Sequence, residues 1–441
     1  MSIAAVNIIG GGLSGAEAAL SLADYGFKVN LFECRPGVMQ GVFKTGGLCE
    51  LVCSNSLGSL KPESAPGVLK SELSALGSHL IAAALEARVP GGQALCVDRE
   101  KFSEIISAKI ETNANINLMR REVLSLDEFE TGSKVIIAAG PLCTPDFFNS
   151  LADKFSDNLY FYDAVSPIID AGSVDMSRAF WKNRYSKGSD DYLNIALNKD
   201  EYFAFYNELI KAKTVPAREG EKEIYFESCM PIEELARRGE HTLRFGPMKP
   251  KGFDDPRTGR MPYALIQLRT ENSLNSAFNI VGFQTKMTFG EQARVLALIP
   301  GLENVKILRY GVIHKNNYMY SPQLLNFNLS MKSAPDIFAA GQILGSEGYC
   351  EAIAGGKLAA LNVVHSIKTG DNKSVLESID YERTMMGSLF KYLILSGVAK
   401  KRFVPMNSNF GLVDTAKYPK ETFHELSNEQ ILKLADLLKK Y

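Results

Sequence analysis

The sequence predicts an α/β fold: a parallel sheet assembled from both ends of the chain and interrupted by a mixed α/β insertion. Three stretches predict it. The chain opens on a short apolar run, Ala4 to Ile9, that leads into a glycine loop and a run of small residues. A second apolar run, Lys134 to Pro141, ends in alanine and glycine. A third, Ile337 to Gln342, closes on Gly341 and precedes a small-residue helix through Ala352, Ala354, Gly355, Gly356, Ala359 and Ala360. Short apolar runs rich in β-branched residues are the signature of buried parallel strands.

The first run is a strand. Gly10-Gly11-Gly12-Leu13-Ser14-Gly15 then fits G-x-G-x-x-G, and Ala16 to Ala23 reads as a helix. Gly10 permits the tight turn, Gly12 lets the backbone approach a pyrophosphate, and Gly15 lets helix pack on strand, with the helix N-terminus facing the anion. The next strand, Lys28 to Glu33, ends in an acid roughly 20 residues past the loop, placed to accept from an adenosine ribose. Strand, loop, helix, strand and acid together point to a bound dinucleotide. The two later runs favour FAD. The strand ending at Gly140 looks like a second nucleotide-contact segment of flavoproteins. Ile337 through Tyr349 looks like the segment beneath the FAD pyrophosphate and ribityl chain. Gln342 stands where that segment usually has Asp, which keeps an acceptor and loses the charge.

Between these runs the composition changes. Aromatic residues cluster at Tyr160-Phe161-Tyr162, Phe180-Trp181 and Tyr202 to Tyr206, and strands are expected at Tyr263 to Arg269 and Phe278 to Phe283. Basic residues gather at Arg237-Arg238, Lys249/Lys251, Arg257/Arg260 and Lys400-Lys401-Arg402. Singly, such clusters are solvated turns and helix faces; together they would suit a phosphate backbone. The expected layout is a cofactor-binding domain from residues 1–155 and 301–370, an inserted α/β domain over 156–300 and a helical tail over 371–441. In the tail, Asn428 to Tyr441 carries apolar residues at helical spacing.

The chain of 441 residues is too long for one hydrophobic core. Hydrophobic content of 46% and charged content of 22% are those of a globular enzyme. Lys+Arg is 49 against Asp+Glu 50, so any nucleic acid must be met by a local basic patch. No apolar run approaches the roughly 18 residues of a membrane span. The opening lacks the basic n-region of a signal peptide. Seven cysteines without regular spacing suggest reduced thiols in a cytoplasmic compartment.

Cys49 and Cys53 are spaced C-x-x-x-C, neither a thioredoxin-like pair nor the wider-gapped pair of disulfide-reducing flavoproteins. The five histidines are scattered, so no metal site is expected. Cys34, Cys96, Cys143 and Cys350 read as small buried hydrophobes. Cys53 is flanked by Ser54, Asn55 and Ser56. Cys229 precedes Pro231 and a helix, whose positive end is expected to favour its thiolate. Read alone, each cysteine is as readily structural as functional.

The blocks GGGLSGAEAA, ELVCSNSL around Cys53, PGGQALCVDR, IIAAGPL, YFESCMPIEELARRG around Cys229, LRFGPMKP, NIVGFQT, IPGLENV and PMNSNFGL run through nearly the whole chain. On them, the chain closely resembles the folate- and FAD-dependent tRNA uracil-5-methyltransferases. It is also similar to the enzyme that modifies the tRNA wobble uridine, a relative normally longer by a C-terminal helical domain. The resemblance implies a Rossmann-like FAD-binding domain of the glutathione-reductase and GidA type. It implies formation of 5-methyluridine in the tRNA T-loop. Methylenetetrahydrofolate would supply the carbon, reduced flavin the hydride, and NADH or NADPH the recharging electrons, with no obligatory protein partner. It implies that Cys229 attacks C6 of uracil and Cys53 assists as a thiol or base, or the reverse, and that Tyr349 lies near the flavin, stacking on the pterin or the isoalloxazine ring. The cofactor contacts implied are Gly10, Gly11, Gly12, Leu13, Ser14, Gly15, Glu33, Gly140, Gly341, Gln342 and Tyr349. Gly58 stands where a basic residue is often found, and Gly41 to Cys49 lacks a histidine-bearing pattern seen in some members. The same chemistry on ribosomal RNA, or a small-molecule flavin oxidoreductase, are the competing readings.

Overall fold

The structure, a computed structural model, describes residues 5–39, 42–155, 158–186, 190–216, 224–225, 229–400 and 403–441. The three apolar runs meet in one six-stranded sheet. Its order is Ser330–Met331, Ala334–Ala339, Val135–Ile137, Val6–Ile9, Val29–Phe32 and Ile116–Met119. All neighbours are parallel except the Ser330–Met331 edge. The first strand is central and buried throughout. Its C-terminal end, beside those of Val29–Phe32 and Val135–Ile137, opens on the glycine loop, where ligands bind in such sheets.

The helix after the loop, Leu13–Asp24, packs against the long helix Tyr349–Thr369 at very short range. Ser14 Oγ donates to Ala352 O at 2.5 Å. A Cβ on Gly356 would lie 2.1 Å from Ser14 O, and one on Gly355 2.7 Å from Gly341 N. The small residues of the long helix are there so that two backbones can touch.

The insertion, joined by Ile307–Arg309 from the segment expected in the cofactor-binding domain, builds a second, antiparallel sheet in the order Ala179–Trp181, Tyr192–Leu197, Ala264–Thr270, Ala277–Ile280, Ile168–Asp170 and Ile307–Arg309. It has its own core, including Leu193, Ile195, Ile266 and Leu268. Tyr202 and Phe205 are fully buried in that core, so they are packing residues and offer no surface for stacking bases. A two-stranded ribbon, Asn158–Ala164 with Ile313–Met319, sets Asp163 opposite His314. The tail is pinned by buried Glu72, which accepts from Met385 N, Met386 N and Ser427 Oγ at 2.5, 2.8 and 2.5 Å. Its last helix runs Phe423–Leu438, starting earlier than the apolar spacing suggested because Phe423 is itself buried. No helix among the described residues is long and apolar enough to cross a membrane.

Gly356→Ala is expected to destabilise the protein by about 1–3 kcal/mol, because backbone rather than a flexible side chain must give way. Urea unfolding of the variant beside the parent chain checks it; an unchanged midpoint would show that the two helices have room to part.

Candidate active site

The segment carrying Cys53 is clamped from both sides. Leu48 and Leu51 anchor it in the core. Arg99 donates through Nη1 to Leu51 O and through Nε to Glu271 Oε2 at 2.6 Å. Asn55 Nδ2 donates to Val97 O at 3.1 Å and Thr270 O at 3.0 Å. Arg269 Nη2 donates to Ser54 Oγ at 3.1 Å. From the other side the Tyr349 hydroxyl accepts from Cys53 N at 2.9 Å and Ser54 N at 3.2 Å. Tyr349 lines the cavity as expected, but its hydroxyl is committed to this loop.

A cavity of about 550 Å³ runs from the glycine loop to Cys53 and Cys229. Gly10, Gly12, Leu13, Ser14, Glu33, Gly140, Gln342 and Tyr349 line it. Gly11, Gly15 and Gly341 are not in its wall. Gly11 N donates to Glu33 Oε2 at 2.9 Å. A Cβ on Gly15 would lie 1.8 Å from Gly10 O, and one on Gly341 2.1 Å from Ser14 Oγ. Gly10, at φ +105°, leaves a Cβ no room beside Ala138 O. Gly12 is different: a Cβ there meets nothing within 4 Å, so its open side faces cavity at the start of a 12-residue helix. These residues fit a dinucleotide pyrophosphate.

Glu33 departs from expectation. Its oxygens accept from Arg35 Nε at 2.8 Å, Arg35 Nη2 at 3.1 Å, Arg35 N at 3.0 Å and Gly11 N. Burial opposes its ionisation, but the Arg35 guanidinium and these donors outweigh that and hold the carboxyl below its ordinary range. The wall therefore presents an ion pair rather than a free carboxylate for a ribose. Gln342 Nε2 donates to Glu347 Oε2 at 3.1 Å.

At the far end the Cys53 and Cys229 sulfurs and an Asp163 carboxylate oxygen all lie within 4.8 Å of one another, a spacing that a soft cation could also use. The neighbouring Cys229 thiol, aided by Arg99 and Arg269 against burial, holds the Cys53 thiol below its ordinary value. The Cys53 sulfur, with burial and Asp163, in turn pushes Cys229 well up. The expected thiolate at Cys229 is thus reversed. The helix it precedes, Ile232–Arg237, has only 6 residues, and the adjacent negative groups outweigh its dipole. Cys49, Cys96 and Cys350 are buried, whereas Cys34 and Cys143 are half-buried and line the cavity. Burial pushes those two thiols up to about 11 and about 12, so they stay protonated.

Four polar residues of the cavity wall had no signal in the sequence: Asp163, His314, Asn316 and Glu347. Asp163, Asn316 and Glu347 are buried, and the His314 side chain nearly so, by the meeting of segments far apart in the chain. Burial and the Cys53 charge raise Asp163 well above the carboxylate range. Burial lowers His314 to about 4, so it is neutral. Of the basic clusters, Arg237, Arg238, Lys249, Lys251, Arg257 and Arg260 are exposed, while Lys401 and Arg402 lie outside the described residues.

Two outcomes follow from this geometry. Alkylation of Cys53 by iodoacetamide is expected to inflect at a lower pH than an ordinary thiol. Cys229→Ala, which removes the neighbouring thiol, should move that inflection upward; peptide mapping across a pH series reads it, and an unmoved inflection would refute the coupling of the two sulfurs. Tyr349→Phe leaves two backbone N–H groups without their acceptor and should cost about 1–3 kcal/mol. Thermal unfolding together with hydrogen exchange at Cys53 and Ser54 measures it.

Residues 5–371 match the family model of glucose inhibited division protein A. Methylenetetrahydrofolate--tRNA-(uracil-5-)-methyltransferase TrmFO of Oleidesulfovibrio alaskensis is 47% identical over 408 residues, covering 92% of this chain and 90% of that protein. The protein of the same name from Fusobacterium nucleatum is 43% identical over 98% of this chain and 99% of its own length. Aquifex aeolicus GidA in its form II crystal superimposes with a TM-score of 0.72 over 100% of this chain and 73% of that one. At 17% identity, that likeness speaks for the fold alone. With relatives this similar over nearly their full length, the chain belongs to the TrmFO family of methylenetetrahydrofolate--tRNA-(uracil-5-)-methyltransferases, within the glucose inhibited division protein A group.

Proposed function

We propose that this chain forms 5-methyluridine in the T-loop of tRNA, taking the carbon from methylenetetrahydrofolate. The observation that carries the reading is the pair of cysteine sulfurs within 4.8 Å of each other at the end of a dinucleotide cavity. C5 of uracil is a poor nucleophile. A sulfur added at C6 converts the ring to an enolate whose C5 can attack a one-carbon electrophile. Gly10, Gly12, Leu13, Ser14, Gly140 and Gln342 would hold FAD, which when bound would supply the hydride that completes the methyl group, with NADH or NADPH as the source of electrons.

Cys229 is the sulfur that adds and Cys53 the base. The Cys229 sulfur lies within 4.8 Å of both the Cys53 sulfur and an Asp163 carboxylate oxygen, and its thiol is held well above its ordinary value. Once deprotonated, the sulfur with the higher pKa is the stronger nucleophile. Cys53, backed by Arg99 and Arg269, stays ionised and takes the C5 proton. Tyr349 fixes the backbone of Cys53 through its hydroxyl. The uridine must be extruded from its loop, at about a few kcal/mol. The exposed Lys249, Lys251, Arg257 and Arg260 of the insertion supply cations for the RNA backbone, which the net charge of -1 does not. In this division of labour both chain ends hold the cofactor, the insertion presents the RNA, and the cytoplasm supplies substrate and reduced thiols.

The test is methyl transfer from labelled methylenetetrahydrofolate, with FAD and reduced nicotinamide, to tRNA and ribosomal RNA transcripts in parallel. Product in the tRNA T-loop is expected; product on ribosomal RNA alone would move the substrate and keep the chemistry. With T-arm RNA containing 5-fluorouridine, Cys229→Ala should trap no covalent adduct. Cys53→Ala should still trap it yet make no product. An adduct in Cys229→Ala would overturn the assignment.

A further inference from the structure

The two thiols leave a proton unplaced. While the C6–S bond exists, the proton that Cys229 gave up must be stored elsewhere. The C5 proton leaves during the same interval. Two protons are then off their atoms at once, and the Cys53 sulfur can hold only one. The site needs a second acceptor within reach of Cys229.

On that reading of the thiols, we propose that Asp163 is this acceptor: its carboxylate takes the Cys229 proton and so keeps Cys53 free for the proton from C5. Asp163 has a carboxylate oxygen within 4.8 Å of both sulfurs. It is 4% exposed, and its Oδ1 has no hydrogen-bond partner, an orphaned acceptor of a kind that calls for an explanation. It is rigidly held, since its strand is paired along its length with Ile313–Met319. The groups facing it are Cys53, Cys229, Asn316, Glu347 and His314. His314 Nε2 lies 4.0 Å from Asp163 Oδ2, but burial leaves that ring a poor base. Glu347 is turned to Gln342. Burial beside the Cys53 charge strengthens the hold of Asp163 on a proton, so the acid formed when it takes the Cys229 proton is stable in the site.

The step balances. The S–H bond of Cys229 breaks, its electron pair stays on sulfur, and an O–H bond forms on Asp163. The negative charge passes from carboxylate to sulfur and, as sulfur adds to C6, onto the uracil carbonyl. When the C6–S bond later breaks, its pair returns to sulfur and Asp163 gives the proton back. No oxidant or reductant is involved.

The test is the rate of covalent trapping of 5-fluorouridine T-arm RNA against pH, with FAD-loaded protein in EDTA so that no cation occupies the three donors. Fluorine at C5 prevents the second deprotonation, so the trap reads only the first. Asp163→Asn is expected to trap about 100-fold more slowly at neutral pH. Its rate should climb with pH as hydroxide replaces the missing base, and Asp163→Glu should recover part of the loss. An unchanged FAD absorption spectrum shows that the site is intact. Trapping by Asp163→Asn at the parent rate and pH profile would overturn the proposal. If the Asn variant loses its flavin, Asp163→Glu decides alone, with a slowed, shifted profile expected and an unchanged one refuting. Cys229→Ala runs alongside: an adduct there indicts the assignment of the nucleophile rather than the role of Asp163.

Discussion

The helix that follows the glycine loop and the long helix near the C-terminus touch backbone to backbone, and the chemistry depends on that contact. Ser14 and Ala352 are 338 positions apart, yet their hydrogen bond is 2.5 Å. At Gly356 and Gly341 a Cβ would run into Ser14, and at Gly355 into the backbone of Gly341. Because the long helix begins at Tyr349, seating it also sets the tyrosine hydroxyl under the backbone of Cys53 and Ser54. One packing constraint thus fixes both the phosphate end of the cavity and the position of a thiol at the other end.

The second thiol is held by different means. Ile232 N donates to Gln284 O at 2.7 Å, and buried Glu233 accepts from Thr285 Oγ1 at 2.9 Å and Lys286 N at 2.7 Å. These contacts belong to the insertion. Cys53 is positioned mainly by the cofactor-binding sheet and its helices, Cys229 by the inserted part, and they meet at the seam. Arg99 and Asn55 cross that seam to Glu271 and Thr270. Displacement of one part against the other would change the separation of the sulfurs before it disturbed either core.

How much of this was legible follows from what each feature depends on. The glycine loop, its flanking strands and the small-residue helix were readable because their requirements are local: a turn, a close approach, a repeating apolar face. Cys53 and Cys229 stood out through their blocks, but their ionisation did not. Cys229 was assigned the low pKa from a nearby helix start, and the structure gives it the high one, because a neighbouring thiolate and carboxylate act at shorter range than a dipole of 6 residues. Glu33 sat at the right position, yet its occupation by Arg35 depends on a turn that no periodicity announces. Asp163 was hidden entirely. It lies in an aromatic strand whose partner comes from Ile313–Met319, and only that pairing buries it beside the sulfurs.

The asymmetry between two chemically identical side chains is therefore built from their surroundings. Cys53 lies towards the cations Arg99 and Arg269, which stabilise a thiolate. Cys229 lies towards Asp163, which opposes one. Like charges in a shared buried site cannot all ionise, so the groups settle into a fixed order of proton affinity rather than an even mixture. That order has a direction: the ionised sulfur stands by as a base, while the protonated one keeps a high intrinsic nucleophilicity until its proton is drawn away. Two thiols in a symmetric environment would offer neither role cleanly. Covalent addition at C6 and proton removal at C5 can run in one small cavity because the protein places its cations on one side of the pair and its carboxyl on the other.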